Sequence, residues 1–235
     1  MEKKILAIIG SEKKKTDSNT VALANLLIEK ISNICNGATA EIIVLGEQNI
    51  SFCKGCMTCS KTGKCCIDDD IQIIIQKLYE TDVVILGSPV HISHVSGMYK
   101  NFLDRLFVYM HTFEFLGKPF ISIVSTNGSG EEDTLKYINH TALLLGMIHQ
   151  GSLVKFNNET LDISKVDKLA LRIADIFTAK IKIKSSFKNF LYFWSMKKII
   201  RENVTYFEFE DKVWQKRGWY NMSFKNILNS KALNN

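Results

Sequence analysis

Short runs of consecutive apolar residues alternate along this chain with longer stretches in which apolar residues return every three or four positions. Lys4–Ile9 is such a run, closed by Gly10, and reads as a strand buried on both faces. Val21–Ile34 carries Leu23, Leu26, Leu27, Ile31 and Ile34 at helical spacing. A second strand is predicted at Glu41–Leu45. A helix follows at Ile71–Tyr79, begun by Asp68–Asp70, because carboxylates favour the positive end of the helix dipole. Asp82–Leu86 gives a third strand ending at Gly87-Ser88-Pro89. Gly97–Met110 gives a helix with Phe102, Leu103, Leu106, Phe107 and Met110 on one face. Strands at Pro119–Val124 and Met147–Lys155 flank a helix at Thr134–Leu145, and Ser164–Ile183 is a last amphipathic helix. This alternation predicts an α/β domain with a parallel sheet covered on both faces. Ligands of such sheets bind outside the carboxyl ends of the strands, where the strand order reverses.

The loops expected at that end are polar. Gly10–Thr20 joins the first strand to the first helix and holds Ser11, Lys13, Lys14, Lys15, Ser18, Asn19 and Thr20. Ser18, Asn19 or Thr20 suits a helix cap, and backbone N–H groups beside hydroxyls and ammonium groups suit a phosphate. Neither Gly-x-x-x-x-Gly-Lys-[Ser/Thr] nor Gly-x-Gly-x-x-Gly is present, so a single phosphate monoester fits better than a nucleoside triphosphate or a dinucleotide. The bland alternative is a solvated basic loop with an ordinary cap. In Gly87–Gly97, Pro89 stiffens a loop whose backbone suits the edge of a flat ring. Gly128 and Gly130 would let backbone approach such a ring closely. A histidine placed like His91 is more often structural than catalytic.

The least ordinary stretch is Ser51–Asp70, which holds five of the six cysteines: Cys53, Cys56 and Cys59 three apart, then Cys65 and its neighbour Cys66. Short Cys-x-x-Cys links let successive thiolates bend around one centre, and four sulfurs are enough for a metal or an iron–sulfur group. Zinc is the alternative, although its sites usually come as two separated pairs. A third possibility is a set of free dithiols. Cys35 reads as a core thiol on the first helix.

Taken together, the Ser11 loop with Ser18-Asn19-Thr20, the cysteine spacing followed by an Asp run, Ser88-Pro89-Val90, and Gly97-Met-Tyr-Lys-Asn-Phe-Leu-Asp-Arg105 resemble the NADPH-dependent FMN reductase group of flavodoxin-like proteins, and within it the iron–sulfur flavoproteins of anaerobes. The resemblance spans residues 4–178. It implies a flavodoxin-like, doubly wound, five-stranded parallel sheet of order 2-1-3-4-5 that binds FMN. By the same resemblance Ser11, Lys13, Ser18, Asn19 and Thr20 hold the phosphate. Ser88, Pro89, Val90, His91, Thr126, Asn127 and Gly128 line the isoalloxazine. Cys53, Cys56, Cys59 and Cys65 ligate a 4Fe–4S cluster, with Cys66 spare or exchanging with Cys65. Lys100, Asp104 and Arg105 become structural or subunit-contact residues. The sequence departs from the usual pattern at Glu12-Lys13 (usually Pro-Arg), at Asp17 (usually Gly) and at His91 (usually Tyr). No catalytic acid or base is named, because the flavin carries the chemistry. The implied activity is an oxidoreductase taking electrons from NAD(P)H or ferredoxin, as a homodimer or homotetramer. The alternatives are a cluster-free NAD(P)H reductase of a quinone or flavin, and a non-enzymatic metal- or thiol-based redox sensor.

Composition adjusts this picture at the carboxyl end. The chain has 235 residues, 46% of them apolar, and a net charge of +6. Lys180–Asn235 holds 12 Lys and Arg against 4 Asp and Glu, leaving 18 against 20 for the remainder. The basic character therefore belongs to the tail, and a nucleic-acid-binding core is not expected. Residues 1–183 are expected to form the FMN domain and residues 184–235 an extension. Phe187, Phe190, Leu191, Phe193, Trp194, Trp214, Trp219 and Tyr220 mark that extension. Aromatic anchors typify interfaces, so it is expected to clasp a second subunit, with cover of the site or contact with an acidic membrane as alternatives. The amino-terminal apolar run is too short for a signal peptide and no run approaches ~18 apolar residues, so a cytoplasmic protein without membrane association is expected.

Overall fold

The apolar runs become five parallel strands: β1 (Lys3–Ile9), β2 (Ala38–Val44), β3 (Val83–Pro89), β4 (Pro119–Thr126) and β5 (Ile148–Phe156). Their order is β2-β1-β3-β4-β5 in the computed structural model, which describes residues 2–232, with side chains to 230; residues 233–235 of the expected extension lie outside the described residues. Side chains alternate across each strand. Leu6 and Ile8 of β1 join one core with Val84, Leu86 and Phe120, whereas Ile5, Ala7 and Ile9 join the other with Val83, Ile85 and Ile121. Helices α1 (Asn19–Ile34) and α7 (Ile163–Phe177) close the second face. Helices α3 (Ile71–Glu80), α4 (Gly97–Arg105) and α6 (Glu131–Leu144) close the first.

Several boundaries differ from those predicted. Strand β3 continues through Gly87-Ser88-Pro89, because Ser88 pairs with Val124 and Pro89 with Ser125 of β4. The helix expected over Gly97–Met110 breaks at Leu106, whose N–H bonds the Leu103 carbonyl three residues back, and restarts as α5 (Phe107–His111). Helix α7 stops six residues before Ile183. Ala179 takes a left-handed φ of 57°, and the Lys180 N–H closes on the Asp175 carbonyl at 2.9 Å, a Schellman ending. Cys35 caps the carboxyl end of α1 and is only partly buried, so it is not the core thiol expected.

The connection from β2 to α3 carries the cysteines, including the short helix α2 (Thr58–Thr62), and both its stems are fastened to α4. The Arg105 side chain is fully buried and that of Asp69 is 2% exposed. Arg105 Nη1 donates to Asp69 Oδ2 and to the Ser51 carbonyl, both at 2.7 Å. Its Nη2 donates to Asp69 Oδ1 at 3.1 Å and to the Ile67 carbonyl at 3.3 Å. Asp69 also accepts from the Ser51 N–H at 2.9 Å, Asp70 from the Asn49 N–H at 2.7 Å, and Asn101 donates to the Ile50 carbonyl at 3.0 Å. Of the aspartates expected to serve the dipole of α3, Asp69 and Asp70 act mainly as straps across the loop, and Asp69 also accepts the Ile71 N–H at 3.3 Å.

Beyond α7 the chain forms α8 (Phe187–Glu202), α9 (Glu208–Lys216) and α10 (Phe224–Ala232). Phe193, Trp214, Trp219, Phe224 and Ile227 pack with Phe113 and Leu116 of the sheet domain in a third core. The aromatic anchors expected to clasp a second subunit at Phe193, Trp214 and Trp219 are thus spent within the chain. Phe187, Phe190, Leu191 and Trp194 remain on the outer face of α8. No helix among the described residues is long and apolar enough to cross a membrane.

Burial pushes the Asp69 carboxyl up, but the Arg105 guanidinium and the Ser51 and Ile71 N–H groups outweigh it and hold it below the ordinary value of 3.8. Its stabilisation is therefore present above that value and lost as the pH falls beneath it. Arg105→Leu should lose about 3–5 kcal/mol in denaturant melts at pH 7, because Asp69 is left buried and unpaired. The deficit of Asp69→Asn should shrink when the melts are repeated below pH 3.8.

Candidate functional site

The loops after β1, β3 and β4 meet at the carboxyl end of the sheet. The Gly10 N–H donates to the Gly87 carbonyl at 2.8 Å, and the Val90 N–H to the Ser125 carbonyl at 2.9 Å. The Thr20 and Ser125 hydroxyls lie 2.6 Å apart, and the Ser96 hydroxyl donates to the Gly10 carbonyl. A Cβ on Gly10 would stand 2.5 Å from Tyr99 Cβ, so only glycine lets the first loop lie on α4.

In the first loop Ser18 caps α1, accepting the Val21 N–H, and is buried, as is Ser11. Residues 12–17 are exposed, which turns Glu12 and Asp17 as well as Lys13, Lys14 and Lys15 to solvent. Asn19 and Thr20, expected in the loop, form the first turn of α1, where backbone N–H groups lack intrahelical acceptors. The Thr20 hydroxyl is engaged by Ser125 and does not face outward.

In the second loop Ser88 is fully buried, accepts the Ser96 N–H at 2.9 Å and donates to the Pro89 carbonyl at 2.8 Å. His91 and His94 exchange backbone hydrogen bonds of 2.8 and 3.0 Å around Ile92 and Ser93, whose φ values of 49° and 56° are both left-handed. Two non-glycine residues in that region make a strained turn of the kind found beside ligands. It leaves the Ile92 side chain fully exposed. His91 is exposed, and the His94 ring packs 4.2 Å from Tyr137.

The third loop is tied by Thr126, which donates to the Ser129 carbonyl at 3.0 Å and accepts the Gly128 N–H at 3.2 Å. Asn127 accepts from Asn157 on the strand-5 side. The space where a Gly128 side chain would stand is open. Gly130 has a φ of 87°, and its Cβ would come 2.6 Å from Ser93 Cα, so the second and third loops touch there.

The cysteine loop leaves β2 at the same end. Cys53, Cys56 and Cys66 are exposed, and Cys59 and Cys65 are partly buried. Cys56 Sγ lies 3.5 Å from Cys66 Sγ and 3.3 Å from the Thr58 hydroxyl. Hydrogen bonds from Thr58 pull the Cys56 thiol down to about 7, and its contact with Cys56 pushes Cys66 up. Burial pushes Cys59 up to about 11. Among the described residues no group of three or more His, Cys, Asp or Glu is gathered as a metal site. The donor set suits a thiolate-bound group in kind and number, and two of its members touch.

Two features escaped the sequence reading. One is Arg105, whose motif was visible but whose hold on the cysteine loop was not. The other is a cluster beneath that loop, formed by the buried Ser60 and Glu210 and the partly buried His111. Ser96 was within reach, since it stands directly before a helical pattern and caps α4 through the Tyr99 N–H.

Gly130→Ala would force alanine into the left-handed region and against Ser93. It should lower stability by about 1–2 kcal/mol in thermal melts, more than the same change at Gly97, where a Cβ meets nothing and φ is not left-handed.

The family model for NADPH-dependent FMN reductase matches residues 3–160. An iron–sulfur flavoprotein of Archaeoglobus fulgidus is 30% identical over 191 residues, covering 78% of this chain and 84% of its own. Another from Methanosarcina thermophila is 24% identical over 172 residues, covering 72% and 88%. Among solved structures, an oxidoreductase from Corynebacterium diphtheriae superposes with a TM-score of 0.58 at 17% identity, covering 76% and 99%. An NADH:FMN oxidoreductase in its apo form superposes with 0.55 at 16%, covering 77% and 91%. The sheet order, the three meeting loops and the match over most of the sheet domain agree: this chain is a flavin-dependent reductase of the NADPH-dependent FMN reductase family.

Proposed function

We propose that the protein is an FMN oxidoreductase that takes electrons from NAD(P)H or ferredoxin and holds a 4Fe–4S cluster on the cysteine loop, as a homodimer or homotetramer. The observation that carries this reading is the position of the five-thiol loop. It leaves the sheet at the end where the flavin loops meet, and both its stems are fixed to α4 by Arg105. The names of the relatives, iron–sulfur flavoproteins, point the same way.

The residues of the three loops fit FMN. Ser11, Lys13, Ser18, Asn19 and Thr20 would hold the phosphate at the start of α1, where N–H groups and the helix dipole favour an anion, Thr20 through its N–H because its hydroxyl is engaged by Ser125. Glu12 and Asp17, which would oppose an anion, are exposed and can stay in solvent. Ser88, Pro89, Val90, His91, Thr126, Asn127 and Gly128 would line the ring, with the open space beside Gly128 leaving room for it. Cys53, Cys56, Cys59 and Cys65 would ligate the cluster, with Cys66 as the spare. Bound FMN supplies the hydride and single-electron chemistry. The side chains position it, and the buried Ser88 and Thr20 hydroxyls hold the loops on which it rests.

A second reading has its own support in the 3.5 Å contact of Cys56 and Cys66. In it the loop is a dithiol and the enzyme a cluster-free NAD(P)H reductase of a quinone or flavin.

Iron, acid-labile sulfide, zinc and FMN should be measured per chain on protein purified without oxygen. The expected result is about four irons, four sulfides and one FMN, with no zinc. FMN without iron would leave the second reading, and a chain without FMN would defeat both. Cys65→Ser should lose iron while Cys66→Ser keeps it, read by metal content and the visible spectrum.

A further inference from the structure

We propose that the carboxyl-terminal extension completes the thiol site: Glu210 of α9 is a positioning residue that, through Ser60, keeps Cys59 turned into the protein. That the loop bearing Cys59 is a redox site rests on the reading above; the latch itself does not.

The geometry is specific. Glu210 is fully buried although it is a carboxylate, a placement that needs partners. Its Oε1 accepts from the Ser60 hydroxyl at 2.7 Å and lies 3.2 Å from His111 Nδ1. Its Oε2 is buried with no hydrogen-bond partner. Ser60 is itself fully buried and lies next to Cys59 in α2, which is only five residues long and has left-handed residues, Met57 and Gly63, at both ends. So short a helix has little stability of its own. What holds it is α9. The Phe209 ring fills the space over Gly63, where a Cβ would come within 2.3 Å of it.

Helix α9 is in turn fastened to the sheet domain. Trp214 Nε1 donates to the His111 carbonyl at 2.9 Å. Arg217 donates to the Thr112 carbonyl at 2.8 Å and to Glu114 at 2.9 Å. The stems of the cysteine loop are therefore set by α4 and its middle by α9. Glu210 lies beyond residue 160, where the family match ends. One wall of the thiol site is thus supplied from outside the part of the chain that the family model describes.

The test is residue-resolved alkylation of the full-length chain, stripped of metal by anaerobic chelation and followed by mass spectrometry. Ser60→Ala deletes the latch from the loop side, Glu210→Leu from the extension side, and Glu210→Gln keeps an acceptor for Ser60. Cys59 should alkylate about tenfold faster in Ser60→Ala and Glu210→Leu, as expected for losing a hydrogen bond near 1.4 kcal/mol. Glu210→Gln should stay near wild type. Cys53 and Cys35 should not change in any variant, which separates release of the latch from general unfolding. An unchanged Cys59 rate in Ser60→Ala, or a Glu210→Gln variant as fast as Glu210→Leu, would overturn the proposal. Iron content of the wild type decides the cluster reading separately. If iron is present, the two latch-breaking variants should lose it faster to a chelator with FMN per chain unchanged.

Discussion

The buried pair of Arg105 and Asp69 is the contact on which the arrangement of this protein turns. A guanidinium and a carboxylate taken wholly out of water are costly, and they persist only when their geometry is good and their remaining valences are filled. Here the fork is bidentate, and the same two terminal nitrogens reach the Ser51 and Ile67 carbonyls on either side of the thiols, which leaves Nε as the one guanidinium nitrogen without a hydrogen bond. One side chain on α4 thereby fixes where the connection after β2 leaves the sheet and where it returns. Without the pair, the cysteine-rich segment would keep only the weaker ties of Asn49 to Asp70 and of Ile50 to Asn101 at its stems.

Fixing the stems has a consequence for the segment between them. Closing a loop costs entropy that grows only slowly with its length. Once the stems are joined, that cost is already met, and the residues inside can turn sharply through left-handed conformations, which cost glycine nothing and a residue with a Cβ about 1–2 kcal/mol. Gly55, Met57 and Gly63 do so. The loops after β1, β3 and β4 are treated in the opposite way. They are cross-tied hydroxyl to hydroxyl and backbone to backbone, from Gly10 to Gly87, Val90 to Ser125 and Thr20 to Ser125, so their surface is set in advance. A rigid platform beside an anchored but locally irregular thiol loop is a consistent design for a reductase of this family.

Much of this was legible in the residues. Apolar runs marked the strands, and their alternation with helical patterns marked a parallel sheet covered on both faces, whereas the strand order came from the resemblance to the family. What failed to show was decided by contacts distant in sequence. Gly87-Ser88-Pro89 has the local chemistry of a strand end, yet β4 offers partners and the strand runs on. Ile181 and Ile183 continue the apolar rhythm of α7, yet a left-handed Ala179 ends it earlier. Asp68–Asp70 looked like charges placed for a helix dipole, and nothing local reveals that Asp69 faces an arginine 36 residues away. Of the candidate site, Ser11 and Ser18 stand in the loop between β1 and α1 that the pattern marks, whereas the inward turn of Thr20 depends on Ser125, which no local pattern marks.

The extension was the hardest to read, and for a physical reason. Helix α8 is apolar on both sides, so periodicity assigns it no inner face. Phe193, Met196 and Ile200 turn inward, while Phe187, Leu191 and Trp194 turn outward beside Lys198. An aromatic residue on such a helix is equally consistent with a subunit interface and with a core. The choice is made by Phe113, which precedes β4 in a left-handed conformation and offers its ring to Phe193 and Trp214. Once that contact forms, α9 is drawn against α5, its Glu210 is carried under α2, and the basic extension becomes part of the wall of the thiol loop. The same aromatic residues that read as anchors for a partner therefore act first on their own chain, and the outward stripe of α8 is what they leave over.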